Sequence, residues 1–135
     1  MKLLIIDDDP EFRLLISHRL RAKTVTAIAA ADVIQAIRLV REQRPDIIML
    51  DIELPGGDGF LILERLKGNR LFSTIPVIIV TARDPAQVEE KALHGGAAAV
   101  LHKPVDCEGL MTIMEQVLTH SAPPNNPPNT AAASS

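Results

Sequence analysis

The sequence predicts a doubly wound α/β domain: a five-stranded parallel sheet in the order 2-1-3-4-5, covered by five helices. Short runs of branched apolar residues recur along the chain, each bounded by Asp, Gly or Pro. The runs are continuous rather than alternating, as expected of strands buried on both faces of a parallel sheet. Segments of helical period separate them, and each parallel crossover needs such a helix.

The first strand is expected at Leu3–Ile6, and Asp9 with Pro10 then announces a helix as N-cap and first helical residue. That helix turns Phe12, Leu15, Ile16 and Leu20 inward. A weaker strand spans 24–29, and the second helix buries Val33, Ala36, Ile37 and Val40 before stopping ahead of Pro45. Ile47–Leu50 forms the third strand, and the third helix runs from Gly57 to Lys67 with Phe60, Leu63 and Leu66 inward. Val77–Val80 is the fourth strand, and Pro85–His94 the fourth helix, closed by Gly95-Gly96. The last strand is expected at Ala97–Leu101. After it, Leu110, Ile113, Met114, Val117 and Leu118 mark the most regular apolar stripe of any helix in the chain.

Composition excludes several functions. Among 135 residues there are three Phe and no Tyr or Trp, too few rings for a base-stacking surface. A net charge of -3 gives the domain no electrostatic footprint for nucleic acid or anionic lipid. Cys107 stands alone, so a disulfide scaffold and structural zinc are both out. No apolar run approaches the length of a membrane span, and the first residues lack signal-peptide features, which predicts a soluble cytoplasmic protein. His18, His94, His102 and His120 lie in different elements without ligand spacing.

In doubly wound folds the ligand crevice lies beyond the carboxyl ends of the strands, where strand order reverses. The polar residues of this chain fall there. Strand one runs into Asp7-Asp8-Asp9, strand three into Asp51, strand four into Thr81 and strand five into His102-Lys103-Pro104. In the predicted order Asp7, Asp8 and Asp51 converge, and their mutual repulsion calls for a cation. Oxygen ligands without nitrogen or sulfur, with a phosphate substrate, select Mg²⁺. Asp9 alone is accounted for as a cap.

Over roughly residues 1–120 the chain resembles a response-regulator receiver domain of two-component or phosphorelay signalling, the flavodoxin-like fold of the chemotaxis-Y-like proteins. The resemblance rests on LLIIDDDPEFR, PDIIMLDIELPGGDGF, PVIIVTA and ALHGGAAAVLHKP. It implies that Asp51 is the phosphoacceptor and that Asp7, Asp8 and Asp51 hold Mg²⁺, with the Glu53 backbone carbonyl as a further ligand. It also implies that Thr81, Lys103 and the Ala82 backbone N–H contact the phosphoryl oxygens. The donor would be a histidine kinase or histidine phosphotransfer protein. Lys103-Pro104 matches the family's Lys-Pro, commonly a cis peptide, and Pro55 with the glycines at 56, 57 and 59 shapes the loop beside the acceptor.

The chain also departs from the family pattern. The aromatic switch residue three before the lysine is Val100 here, the Phe often found after Lys-Pro is Val105, and the usual acidic neighbours are Ala98 and Ala99. A stiff, small Val cannot run a ring-flip relay, so backbone and helix-four movement is expected to carry the signal instead. The apolar run 97–101 is in part buried strand. Its alternative reading is a docking or homodimer face formed by helix four, strand five and helix five. Glu53 and Arg83, each two residues past a site residue, suit an ion pair that shields the phosphoryl group; two unpaired solvated side chains are the plain alternative.

Other functions fit less well. A dinucleotide or flavin enzyme needs a Gly-rich turn after strand one, where DDDP would repel a pyrophosphate. An Asp-dependent phosphatase would use a second acid at Glu53, but no matching signature accompanies it. A receiver-like scaffold independent of phosphorylation would have no use for all five of Asp7, Asp8, Asp51, Thr81 and Lys103. Residues 121–135, with four prolines and no charged residue, cannot join a core and read either as a frayed tail or as a linker to an output domain.

Overall fold

A computed structural model describes residues 1–54 and 58–120, without the side chains of residues 58, 85 and 120. The PGG segment of the loop after the third strand and the tail at 121–135 therefore lie outside the described residues. In chain order the elements are β1 (Lys2–Ile6), α1 (Pro10–Arg21), β2 (Thr26–Ala30), α2 (Val33–Gln43), β3 (Ile47–Asp51), α3 (Asp58–Lys67), β4 (Val77–Thr81), α4 (Pro85–His94), β5 (Ala99–His102) and α5 (Cys107–His120). The sheet is wholly parallel in the predicted order β2-β1-β3-β4-β5.

The pattern of burial explains the strands. Leu3 to Ile6, Ile47 to Leu50 and Val77 to Val80 are all buried, since α1 and α5 cover one face of the sheet and α2, α3 and α4 the other. Each such aliphatic side chain removed from water contributes roughly 1.5–3 kcal/mol. Asp9, Asp32 and Asp84 cap α1, α2 and α4, their side chains accepting from the N–H groups of Glu11, Gln35 and Ala86. Gly96 takes φ 101°, a left-handed conformation that a β-branched residue could not hold, and so returns the Ala97 N–H to the Ala92 carbonyl at 3.0 Å.

Three expectations shift. β2 begins at Thr26, because Thr24 makes a turn with φ 59°. β5 begins at Ala99: Ala97 is spent on closing α4, and Ala98 donates its N–H to the Val77 carbonyl ahead of the strand proper. Leu15 points outward at 47% exposure, and the inner face of α1 is carried by Ile16 and Leu20 with Phe12 at its margin.

Candidate functional site

The reversal of strand order builds the site. Ile6 pairs with Leu50, so the residues that follow, Asp7 and Asp51, leave the sheet side by side. Thr81 pairs with His102, and the Lys103 N–H donates to the Thr81 carbonyl at 2.8 Å, which delivers the lysine to the same edge. The Lys103–Pro104 peptide is cis. Asp7, Asp51 and Thr81 are the buried polar residues of the described chain.

Each buried carboxylate is held by one oxygen and leaves the other for the shared space. Asp7 Oδ1 accepts from the Asp9 N–H at 2.9 Å, and Asp51 Oδ1 accepts from the Glu53 N–H at 2.9 Å. Lys103 Nζ stands 2.8 Å from Asp7 Oδ2 and 3.5 Å from Asp51 Oδ2. The ammonium of Lys103 is thus the one positive group against Asp7 Oδ2, which no backbone N–H reaches.

Oxygens of Asp7, Asp8 and Asp51 all lie within 4.8 Å of one another. One ammonium cannot balance three carboxylates, and a buried carboxylate oxygen that no backbone N–H reaches is the kind of atom a second cation satisfies. An all-oxygen set with an exposed third member, Asp8, suits a hard divalent ion that keeps part of its water, as Mg²⁺ does. The residues present therefore fit that ion.

Electrostatics agree with this geometry. Burial pushes the Asp51 carboxyl above its ordinary value, the Glu53 N–H works against that, and the Asp7 charge adds to it while Lys103 opposes it. For Lys103, burial pulls the ammonium down, but Asp7 and Asp51 together outweigh it and hold the group above its ordinary value.

Two neighbours of the site were not marked by the sequence. The Phe12 ring centroid lies 4.4 Å from Lys103 Nζ, and Arg13 Nη1 donates to the Asp7 carbonyl at 2.7 Å. Both come from the first turn of α1, just beyond the Asp9 cap. That position was the available signal, because a helix capped at the pocket rim turns its first residues toward the pocket.

At the mouth the expected ion pair is formed. Arg83 Nε is 2.6 Å from Glu53 Oε2. Glu53 Oε1 also accepts the Ala82 N–H at 3.3 Å, the donor expected to meet a phosphoryl oxygen. Thr81 Oγ1 accepts the Arg83 N–H at 3.0 Å. Val100 is half-buried against the α2–α4 side of the sheet and has no aromatic neighbour in β5.

The family model for the response regulator receiver domain matches residues 3–115. Over 117 residues the chain is 35% identical to the "DNA-binding dual master transcriptional regulator RpaA" of Synechocystis, covering 87% of this chain but 48% of that protein. The chain thus spans about half the length of that relative. Over the same extent it is 32% identical to sporulation initiation phosphotransferase F of Bacillus subtilis, of which it covers 93%. Among solved structures, a putative response regulator from Chloroflexus aurantiacus superposes with a TM-score of 0.82 at 27% identity, covering 87% of this chain and 97% of that one.

Proposed function

Because the chain belongs to the response-regulator receiver family of two-component signalling, we propose that it is a phosphorylation-controlled switch with Asp51 as its acceptor. The observation that carries this reading is the meeting of Asp7, Asp8 and Asp51 oxygens within 4.8 Å of one another, with the single ammonium of Lys103 alongside. Receiver domains are signalling modules that exchange phosphoryl groups with histidine kinases or phosphotransfer proteins. Here such a phosphohistidine is the donor. An Asp51 oxygen forms the new P–O bond as the P–N bond breaks, and the histidine nitrogen keeps the electron pair and is protonated from solvent.

Asp7, Asp8, Asp51 and the Glu53 backbone carbonyl would hold Mg²⁺. When bound, that ion supplies positive charge against the phosphoryl oxygens. Lys103 contributes a second cation, kept over the acceptor by Asp7 and the Phe12 ring. Asp9 and Glu53 fix both carboxylates through their backbone N–H groups, so little reorganisation accompanies the transfer. Thr81 and the Ala82 N–H would bind the remaining oxygens once Glu53 releases the latter.

Residues 1–120 make up this switch and 121–135 a tail or linker. Partners or a second copy would meet the α4–β5–α5 face, and the chain works in the cytoplasm. None of its described helices is long and apolar enough to cross a membrane.

Acetyl phosphate with Mg²⁺ should add one phosphoryl group to the chain, seen by intact-mass measurement, and Asp51→Asn should abolish the addition. Absence of Mg²⁺-dependent labelling, or labelling that survives Asp51→Asn, would refute the switch and leave a partner-binding scaffold.

A further inference from the structure

A second polar feature lies at the opposite end of the sheet, where α2 and α3 finish and the connector to β4 begins. Ile37, Arg41, Arg65, Gly68, Asn69 and Phe72 line a groove of about 370 Å³ there. The flanking stretches 38–44 and 64–70 hold six of the chain's 14 basic residues against two acidic ones, Glu42 and Glu64, in a chain whose net charge is -3. None of Arg38, Arg41, Arg44, Arg65 and Arg70 has an ion-pair partner among the described residues. Arg44, left-handed at the end of α2, places its guanidinium 5.8 Å from the centroid of the Phe72 ring, so a third guanidinium reaches the groove wall.

The groove is built in advance. Lys67 Nζ donates to the carbonyls of Ser73 at 3.0 Å and Ile75 at 2.9 Å, which ties the connector to α3. The Asn69 carbonyl accepts the N–H groups of Phe72 and Ser73, and Phe72 is buried. Asn69, which lines the groove, accepts the Leu71 N–H at 2.8 Å with Oδ1, so its side chain keeps an amide NH₂ as donor. An apolar floor of Ile37 and Phe72 thus carries guanidinium forks on both walls and one amide donor. Guanidinium groups so placed match carboxylates, which they grip in bidentate fashion.

We propose that the α2/α3 groove is a docking site for an acidic segment of a partner protein, one aliphatic side chain of which enters between Ile37 and Phe72 while flanking carboxylates meet Arg41, Arg65 and Arg44. Nucleic acid and anionic lipid share the charge but fit worse. A polyanion longer than the groove runs on over a domain of net negative charge, whereas a short segment confined to it meets the arginines within a Debye length of about 8 Å. The aliphatic floor also selects a side chain that a phosphate surface does not offer. The groove lies away from Asp51, so occupancy needs no phosphorylation.

The probe is an acetylated peptide, Glu-Glu-Leu-Leu-Glu-Glu, titrated into the ¹⁵N-labelled chain. Saturable shifts should centre on Gly68, Asn69 and Phe72, and Lys in place of every Glu should abolish them. Arg41→Glu/Arg65→Glu should weaken binding about tenfold or more, each tenfold being 1.4 kcal/mol. The milder Arg41→Gln/Arg65→Gln, checked for fold by circular dichroism, should weaken it less but measurably. No saturable shift at millimolar peptide, shifts centred elsewhere, or equal affinity in both double variants would overturn the proposal. So would tighter binding of a short DNA duplex or of phosphatidylserine vesicles than of the peptide.

Discussion

At the ends of β1, β3 and β4 the polar groups Asp7, Asp51 and Thr81 are buried and each is held by a backbone contact. Along β5, by contrast, Ala99, Val100 and Leu101 are aliphatic and half-buried, so no polar contact fixes their side chains. Chemistry at phosphorus demands charges fixed to a fraction of an ångström. Passing the result to a neighbouring face demands only that two packings differ in energy by a few kcal/mol. The two regions match these unequal demands: backbone contacts fix the buried polar groups of the pocket, while apolar packing alone holds the side chains of the flank.

The largest effect should come from the rigid side. A Cβ added at Gly59, at the start of α3, would lie 2.4 Å from the carbonyl oxygen of Ile52, the residue after Asp51. Backbone must move to admit it. Gly59→Ala should therefore cost about 3 kcal/mol or more in urea unfolding, in the range of severe core disruptions. A loss within about 0.5 kcal/mol would mean that the loop after Asp51 shifts readily to admit the methyl group.

Next is the charge of Asp51, the proposed acceptor. Asp51 is held above the ordinary carboxylate value of 3.8, so the folded chain binds this proton more tightly than the unfolded chain does. That group therefore makes stability fall as pH rises from 3.8 through its folded value and then level off. Asp51→Asn, which never ionises, should unfold at a higher temperature than wild type at pH 7 and lose that advantage in acid. Equal melting temperatures across the whole range would show that Lys103 already compensates the acceptor.

Much of this division was legible in the sequence, and the exceptions have physical causes. Continuous apolar runs identify β1, β3 and β4 because strands buried on both faces leave no polar positions. The same rule misplaced the start of β5, where Ala97 and Ala98 are as apolar as strand residues yet serve a turn that Gly96 sets. Asp7, Asp8, Asp51, Thr81 and Lys103 could be grouped because each terminates a strand on one edge. For Phe12 and Arg13 the place just beyond the Asp9 cap was the one signal, and a weak one: on a helix they read as a core ring and a solvated base, and it takes the packing of α1 beside the β5–α5 connection to bring Phe12 to Lys103.

A smaller effect tests the flank. Val100→Tyr would restore a ring at the switch position at a cost on the order of 1 kcal/mol, since the site is half-buried and can partly accommodate it. In a chain with no Tyr or Trp it would also be the sole fluorophore of its kind. Its emission should change on adding beryllofluoride with Mg²⁺. An unchanged spectrum, with binding shown by another probe, would mean that β5 does not take part in the read-out.

The smallest effect belongs to the mouth of the pocket, where the rigid and yielding regions meet. The Glu53 carboxylate takes the Ala82 N–H with one oxygen and Arg83 Nε with the other, as a phosphoryl group would take the same amide. Arg83 is largely exposed, so solvent screens the pair and its worth is about 0.2–1 kcal/mol. On the proposed reading, with phosphate on Asp51, Arg83 would keep Glu53 neutralised and across the path of water. Arg83→Ala would leave a free carboxylate beside the phosphoryl group, repelled from it and swung outward, and the path would open. Loss of phosphate should then quicken by up to about fivefold, which is what 1 kcal/mol allows. Equal rates of loss in wild type and Arg83→Ala would show that the clasp neither shields the acyl phosphate nor competes for the Ala82 amide.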